Sequence, residues 1–339
     1  MSSTPMGITQ FGAFTPSAAQ LIQQAINQRG FGTTGNIFYC DPVNGLDTNN
    51  GQLAAPSGAA GQGPVQTLAA GYALLRNGFN DVLVLIGNGQ STGSARITTF
   101  TWSKNAAHLI GICAPSAVSQ RARIAFPTTA GLTVTANFFT VSGNGCLFLN
   151  LSWFVGAGAG QTGIAASICL TVSGQRNAFI NCDIEGMGDT TSAADAGSRN
   201  LLISAGENYF SHCNIGLDTV QRTNANASVE ISGNSARTLF EACIFPVDSS
   251  DGLQYILLGA AAAALDRWTL FRECIMFSTV GTILAQLIHL VAAVGGKVIL
   301  DASTSWYATV AGDATTVAQL LLGGAPSNTT TGGKLVVGA

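Results

Sequence analysis

Three carboxylates stand close together in mid-chain: Asp183, Glu185 and Asp189. Two carboxyl groups at a fixed separation can protonate a leaving group while the second attacks or activates water. That chemistry needs neighbouring elements to bring the acids together. The residue 31 positions after Asp183 is Asn214, the next equivalent is Ile244, and Glu185 is matched by Gly216. No acidic column forms, so the three acids are expected to be solvated turn residues. Asp47-Thr-Asn-Asn-Gly places oxygen ligands at alternate positions but lacks the distal bidentate Glu of a Ca²⁺ loop, and a plain turn is expected. His108, His212 and His289 have no ligand-spaced partner and no Cys-x-x-Cys pair occurs, so neither metal nor other cofactor is expected. Ser-Gly at 142, 173 and 232 reads as turn punctuation, without a Gly-x-Ser-x-Gly elbow.

The thiols form the stronger pattern. Cys182, Cys213, Cys243 and Cys274 are spaced 31, 30 and 31 residues apart, and Phe179, Phe210, Phe240 and Phe271 keep the same spacing. Each pair lies in one octapeptide: Asn-Ala-Phe-Ile-Asn-Cys-Asp-Ile from 177, Asn-Tyr-Phe-Ser-His-Cys-Asn-Ile from 208, Thr-Leu-Phe-Glu-Ala-Cys-Ile-Phe from 238, Thr-Leu-Phe-Arg-Glu-Cys-Ile-Met from 269. Phe148 lies 31 residues before Phe179 in a looser copy. Roughly ten residues ahead of each Cys stands an apolar strand ended by a small-residue turn, as in Thr171-Val-Ser-Gly.

A repeat of about 30 residues holding at least two short strands leaves no room for two long helices. The architecture this implies is a parallel β-helix, one coil per repeat, with coils stacked at about 4.8 Å. Phe then stacks on Phe and Cys on Cys as core ladders, with the thiols free and buried. Replacing a ladder Cys by Ser is expected to cost about 1–3 kcal/mol through an unsatisfied hydroxyl. Two polar columns follow from the same stacking: Arg176, Glu207, Arg237 and then Glu241, Arg272, each alternating in sign, as an outward column would.

Composition bounds the partners. The 339 residues include only 9% charged side chains, with net charge −3 and 47% hydrophobic residues. Disorder and coiled coil are excluded, and there is no basic footprint for nucleic acid. The apolar stretches 255–265 and 283–300 are broken by polar residues and fall short of the roughly 20 apolar residues of a membrane span. No targeting segment is read in the first ten residues. A soluble protein with reduced thiols is expected.

Residues 1–36 read as an arm. Thr15-Pro16 would start a short helix and Gly30 would end it, with Leu21, Ile22, Ala25 and Ile26 as its apolar stripe. A strand from Ile37 leads into Asp41-Pro-Val-Asn-Gly-Leu-Asp-Thr-Asn-Asn-Gly, then a Thr-Leu helix over 64–77, then Asp81-Val-Leu-Val-Leu-Ile-Gly. This order resembles the entry of pectate-lyase-like right-handed parallel β-helix proteins, many of which are bacteriophage virion proteins. The resemblance covers 37–115 by motif and 130–300 by coil pattern. It implies that helix 64–77 caps the open end of the solenoid. The Asn-Thr-Asp, Asp-Asp and Gly-His-Gly set of polygalacturonases and the lyase Arg-x-Pro-x-x-Arg are absent.

The expected organisation is an arm (1–36), entry and capping helix (37–97), β-helix coils (98–307) and a C-terminal cap or contact tail (308–339). The expected function is a structural virion protein of a tailed bacteriophage, a capsid decoration (cement) protein on the head surface, assembled in the host cytoplasm. It is expected to be a homo-oligomer with a trimer favoured, and to contact the major capsid protein or other virion proteins, with no nucleic acid, no membrane and no enzymatic activity. The alternative is a tailspike-type polysaccharide-degrading or receptor-binding β-helix.

Overall fold

Each coil is built from three short strands, and the alternation of side chains decides what each buries. Residues Ile168–Val172, Ala178–Ile180 and Asp183–Glu185 form one such coil, and Arg199–Ile203 opens the next. The computed structural model describes residues 35–114, 122–233, 235–250, 254–259, 264–279, 288–290, 296–301, 303–307, 320–322 and 325–326. Equivalent strands of successive coils pair in parallel and generate three sheets of eleven, seven and eight strands. Ala178–Ile180 lies in the first, Ile168–Val172 in the second and Asp183–Glu185 in the third. Among the described strands one pair is antiparallel, Leu320–Leu322 with Ala325–Pro326. The chain is a right-handed parallel β-helix.

The 31-residue period is the register itself. Phe148, Phe179, Phe210, Phe240 and Phe271 are successive partners in the first sheet, and Leu300 takes the next position in the register. A tight corner separates each first-sheet strand from its third-sheet strand. Its residue stands at positive φ in five successive coils: Asn150, Asn181, His212, Ala242 and Glu273, with φ between 51° and 58°. The Ser-Gly turns are fixed by close approach, because a Cβ on Gly174 would stand 2.0 Å from the Gly143 carbonyl oxygen.

At the entry, strand Ile37–Cys40 forms the edge of the first sheet, next to Asp81–Ile86. Its free backbone groups are taken by the intervening loop: Tyr39 N donates to Gly51 O (2.7 Å), Val65 N to Tyr39 O (2.9 Å) and Asp41 N to Val65 O (2.8 Å). That loop, rather than the helix, closes the edge that would otherwise pair with another chain.

Helix α1 spans Leu68–Leu74, shorter than the 64–77 read from sequence. Residues before it are extended, with Val65 bridged to Cys40. Thr67 caps its start, and Asp47 reinforces the cap by accepting from Gln66 N, Thr67 N and Thr67 Oγ1 at 2.7–2.9 Å. At its end Lys104 Nζ donates to the Tyr72 and Leu75 carbonyls (2.6 and 2.7 Å), stopping the helix where the orphan carbonyls are satisfied. The strand-turn-strand read over 98–115 is present as Phe100–Trp102 and Ala107–Ile112. The arm helix and most of the 308–339 tail lie outside the described residues.

Candidate functional site

The phenylalanine rings stack with nearly parallel planes along the solenoid axis. Ring centroids of Phe148, Phe179, Phe210, Phe240 and Phe271 are 4.7–4.9 Å apart in sequence, with interplanar angles of 5–17°. Trp153 and Phe245 pack edge-on against the stack. All are buried, and stacked plus edge-to-face geometry is what the ring quadrupole favours.

Beside them the thiols Cys182, Cys213, Cys243 and Cys274 are free and buried. Each Sγ approaches the carbonyl of the Phe one coil earlier: Phe148, Phe179, Phe210 and Phe240, at 3.4–3.5 Å. Burial pushes the Cys182 and Cys243 thiols up, so they are packing groups and weak donors, with no accessible thiolate.

Thr304 continues this column. Its Oγ1 donates to the Phe271 carbonyl at 3.0 Å. A hydroxyl at a ladder position therefore finds the partner that the thiols use. The expectation that a Ser there would be unsatisfied is corrected on that geometry.

The sequence reading missed a buried amide row. Asn177 and Asn208, the first residues of two octapeptides, are 1% exposed. Asn177 Oδ1 accepts from Cys146 N (2.8 Å), Asn208 Oδ1 from Asn177 N (3.0 Å), and their amide groups donate to the Gly143 and Gly174 carbonyls (3.0 and 3.1 Å). Their shared 31-residue offset was the available signal. Arg222 is also buried, its guanidinium donating to Asn226 Oδ1, Asn226 O, Ser228 Oγ and Tyr255 O, and burial pulls its pKa down to about 9.

On the outer wall, Glu207 pairs with both Arg176 (2.6 Å) and Arg237 (2.5 Å), and Glu241 with Arg272 (3.1 Å). The sign alternation read from the sequence is thus a set of ion pairs between consecutive coils.

Two of the three acids are placed differently from the expectation. Asp183 and Glu185 are 3% and 2% exposed, on a strand of the third sheet, flanking the inward Ile184. Arg123 donates to Glu185 Oε2 at 3.3 Å, Ser152 Oγ lies 3.4 Å from it, and the Arg123 guanidinium sits 5.0 Å over the Phe154 ring. Asp183 and Glu185 are buried strand residues, not solvated turn residues. Asp189 caps the short helix α2 (Thr190–Ala193) and also accepts from Ala157 N, beside a 380 Å³ recess bordered by Gln161 and Thr191. Its acceptor positions are occupied by that capping, as those of Asp47 are at α1.

No family model matches the chain, and no curated protein does. Solved structures share its fold. A mutant pectin methylesterase in complex with a hexasaccharide is 15% identical, with a TM-score of 0.51, covering 83% of this chain and 80% of that one. Pectate lyase Pel9A is 14% identical (TM-score 0.45; 84% and 79% covered), and ORF18 of Geobacillus virus E2 is 14% identical (TM-score 0.40; 91% and 63% covered). These are likenesses of fold.

The first of these likenesses corrects the expectation that the chain is not an enzyme. The fold is one on which a pectin methylesterase is built. That expectation rests on the absence of an acidic column; the structure sets Asp183 and Glu185 on one sheet face with Arg123.

Proposed function

We propose that the chain is a structural virion protein of a tailed bacteriophage that decorates and stabilises the head, as a trimer seated on the major capsid protein or neighbouring virion proteins. One observation carries this reading: among the described residues the walls of the solenoid are sparsely charged, and many of those charges are paired. Of 31 charged residues, at least 13 are tied into ion pairs with one another. What remains outside is rich in Ala, Ser, Thr and Gly, a surface suited to close packing against protein. The entry motif resembling phage β-helix proteins points the same way. A rigid rod held by continuous ladders suits a load-bearing part.

The rival, a tailspike-type polysaccharide-degrading or receptor-binding protein, draws on the enclosed Arg123–Glu185 pair and the adjacent Asp183. Adding purified protein to phage heads stripped of their accessory proteins tests the choice. Saturable binding in multiples of three per capsid site supports decoration. Binding to host surface polysaccharide with none to heads supports the rival.

A further inference from the structure

Five Asn-Gly pairs occur in the chain, at 44–45, 50–51, 77–78, 88–89 and 144–145. Such a pair can react with itself. The glycine N attacks the asparagine Cγ, ammonia leaves and a succinimide closes; water then opens the ring to aspartate or isoaspartate. Glycine favours the step because no Cβ shields its nitrogen. The attack needs that nitrogen free of other bonds and the side chain free to swing over it.

The fold withholds the nitrogen at four of the pairs. Gly45 N donates to Asp41 O (2.9 Å), Gly51 N to Gly63 O (3.0 Å), Gly78 N to Asn105 O (2.8 Å) and Gly145 N to Gln175 O (3.0 Å). The side chains are held as well. Asn44 Nδ2 donates to Asp41 Oδ2 (3.0 Å), Asn77 Oδ1 accepts from Asn105 N (2.7 Å), and Asn144 Oδ1 accepts from Gln175 N (2.7 Å). At 77 and 144 both bonds run to the next coil, so attack there would require two coils to part.

Asn88–Gly89 differs. It stands in the exposed connection between Asp81–Ile86 and Ala95–Arg96. Gly89 N has no acceptor among the described residues, and a Cβ built on Gly89 would meet nothing within 4 Å. Asn88 Oδ1 accepts from Gln90 N (2.9 Å), inside the same turn. That donor suits the reaction, since it points at the oxygen that becomes negative as the nitrogen attacks. Asn50 makes the same local bond, from Gln52 N (3.1 Å), but there the glycine nitrogen is taken.

We propose that Asn88 is a site of spontaneous deamidation in the folded protein, with the other four pairs protected. The product adds one carboxylate to a chain of net charge −3, in the exposed loop of the entry coil. This inference is independent of the virion reading.

Full-length protein is aged in mildly alkaline buffer, once folded and once in denaturant, and aspartate and isoaspartate at each pair are followed by peptide mapping with mass spectrometry. Unfolded, the five pairs should react at similar rates. Folded, Asn88 should keep most of its unfolded rate while the other four fall about tenfold or more below theirs, since two hydrogen bonds must open at each before attack. Asn88→Gln should abolish the acidic shift of the aged folded protein on isoelectric focusing and leave its circular dichroism unchanged. Asn88 reacting no faster than the other four in the folded protein, or the same acidic shift in the Asn88→Gln variant, would overturn the proposal.

Discussion

Thr304 stands one coil beyond Cys274 and does the same job: its Oγ1 reaches the Phe271 carbonyl at 3.0 Å, as Cys274 Sγ reaches the Phe240 carbonyl at 3.5 Å, and Cys274 N donates to that hydroxyl at 3.4 Å. The column therefore selects a small inward group with one donor.

Cys243→Ser should accordingly change stability by less than about 1 kcal/mol, the scale of one satisfied hydrogen bond. Cys243→Leu should cost about 1–3 kcal/mol by overpacking a buried site. Urea unfolding measures both. A Ser variant as damaging as Leu would mean that the hydroxyl finds no partner there.

Phe210→Ala removes a ring stacked on Phe179 and Phe240, and it should cost about 3–5 kcal/mol. Phe210→Leu should cost less, since Leu300 already occupies the ladder position opposite Phe271. Equal losses for the two variants would contradict a ladder built on ring stacking.

Glu207 lies between two arginines of adjacent coils. Glu207→Lys would place three cations in a row, lowering the melting temperature at low salt. The deficit should shrink in 1 M NaCl, where exposed charges are screened. A salt-independent deficit would point to packing instead.

His108 gives the fold an acid-sensitive point. Its Nδ1 accepts from Leu147 N (3.0 Å), which needs the neutral ring, with Nε2 facing Asn80 Oδ1 (3.3 Å). Burial pulls its pKa down to about 4 from 6.5. The folded state binds fewer protons than the unfolded one between these values. The contribution is full above pH 6.5, falls as the pH drops through that window and is gone below about 4; it amounts to about 3 kcal/mol. Asp81 acts in the same direction at lower pH: burial raises its carboxyl, but hydrogen bonds from Arg76 and Asn36 outweigh that and hold it below the usual range. Wild type should lose stability from pH 6.5 to 4.5, and His108→Gln should flatten that slope. An unchanged slope in the variant would remove His108 from the account.

The period, the strands and the charge column were legible because each coil repeats the same physical demand at the same offset. Phe and Cys recur since one core position accepts them in every turn. The amide row of Asn177 and Asn208 was written in the same octapeptides but looked like polar filler, because a turn residue and a buried carbonyl-binding residue have the same composition. The burial of Asp183 and Glu185 was not legible. Glu185 is paired with Arg123, two coils earlier in the stack and outside the repeat motif, and no local pattern links the two. Thr304 was hidden by its chemistry, since the column had been read as thiol rather than as small donor. The ends of α1 were set by Asp47 and Lys104, which come from other segments and leave no trace in the helix's own periodicity.

The central claim concerns where the solenoid works, and cryo-electron microscopy of the particle that carries it tests this most directly. The account predicts a three-fold group of parallel β-helices on the head lattice, with coil spacing near 4.8 Å. Density for the solenoid at the tail tip alone, or its absence from purified particles, would contradict it.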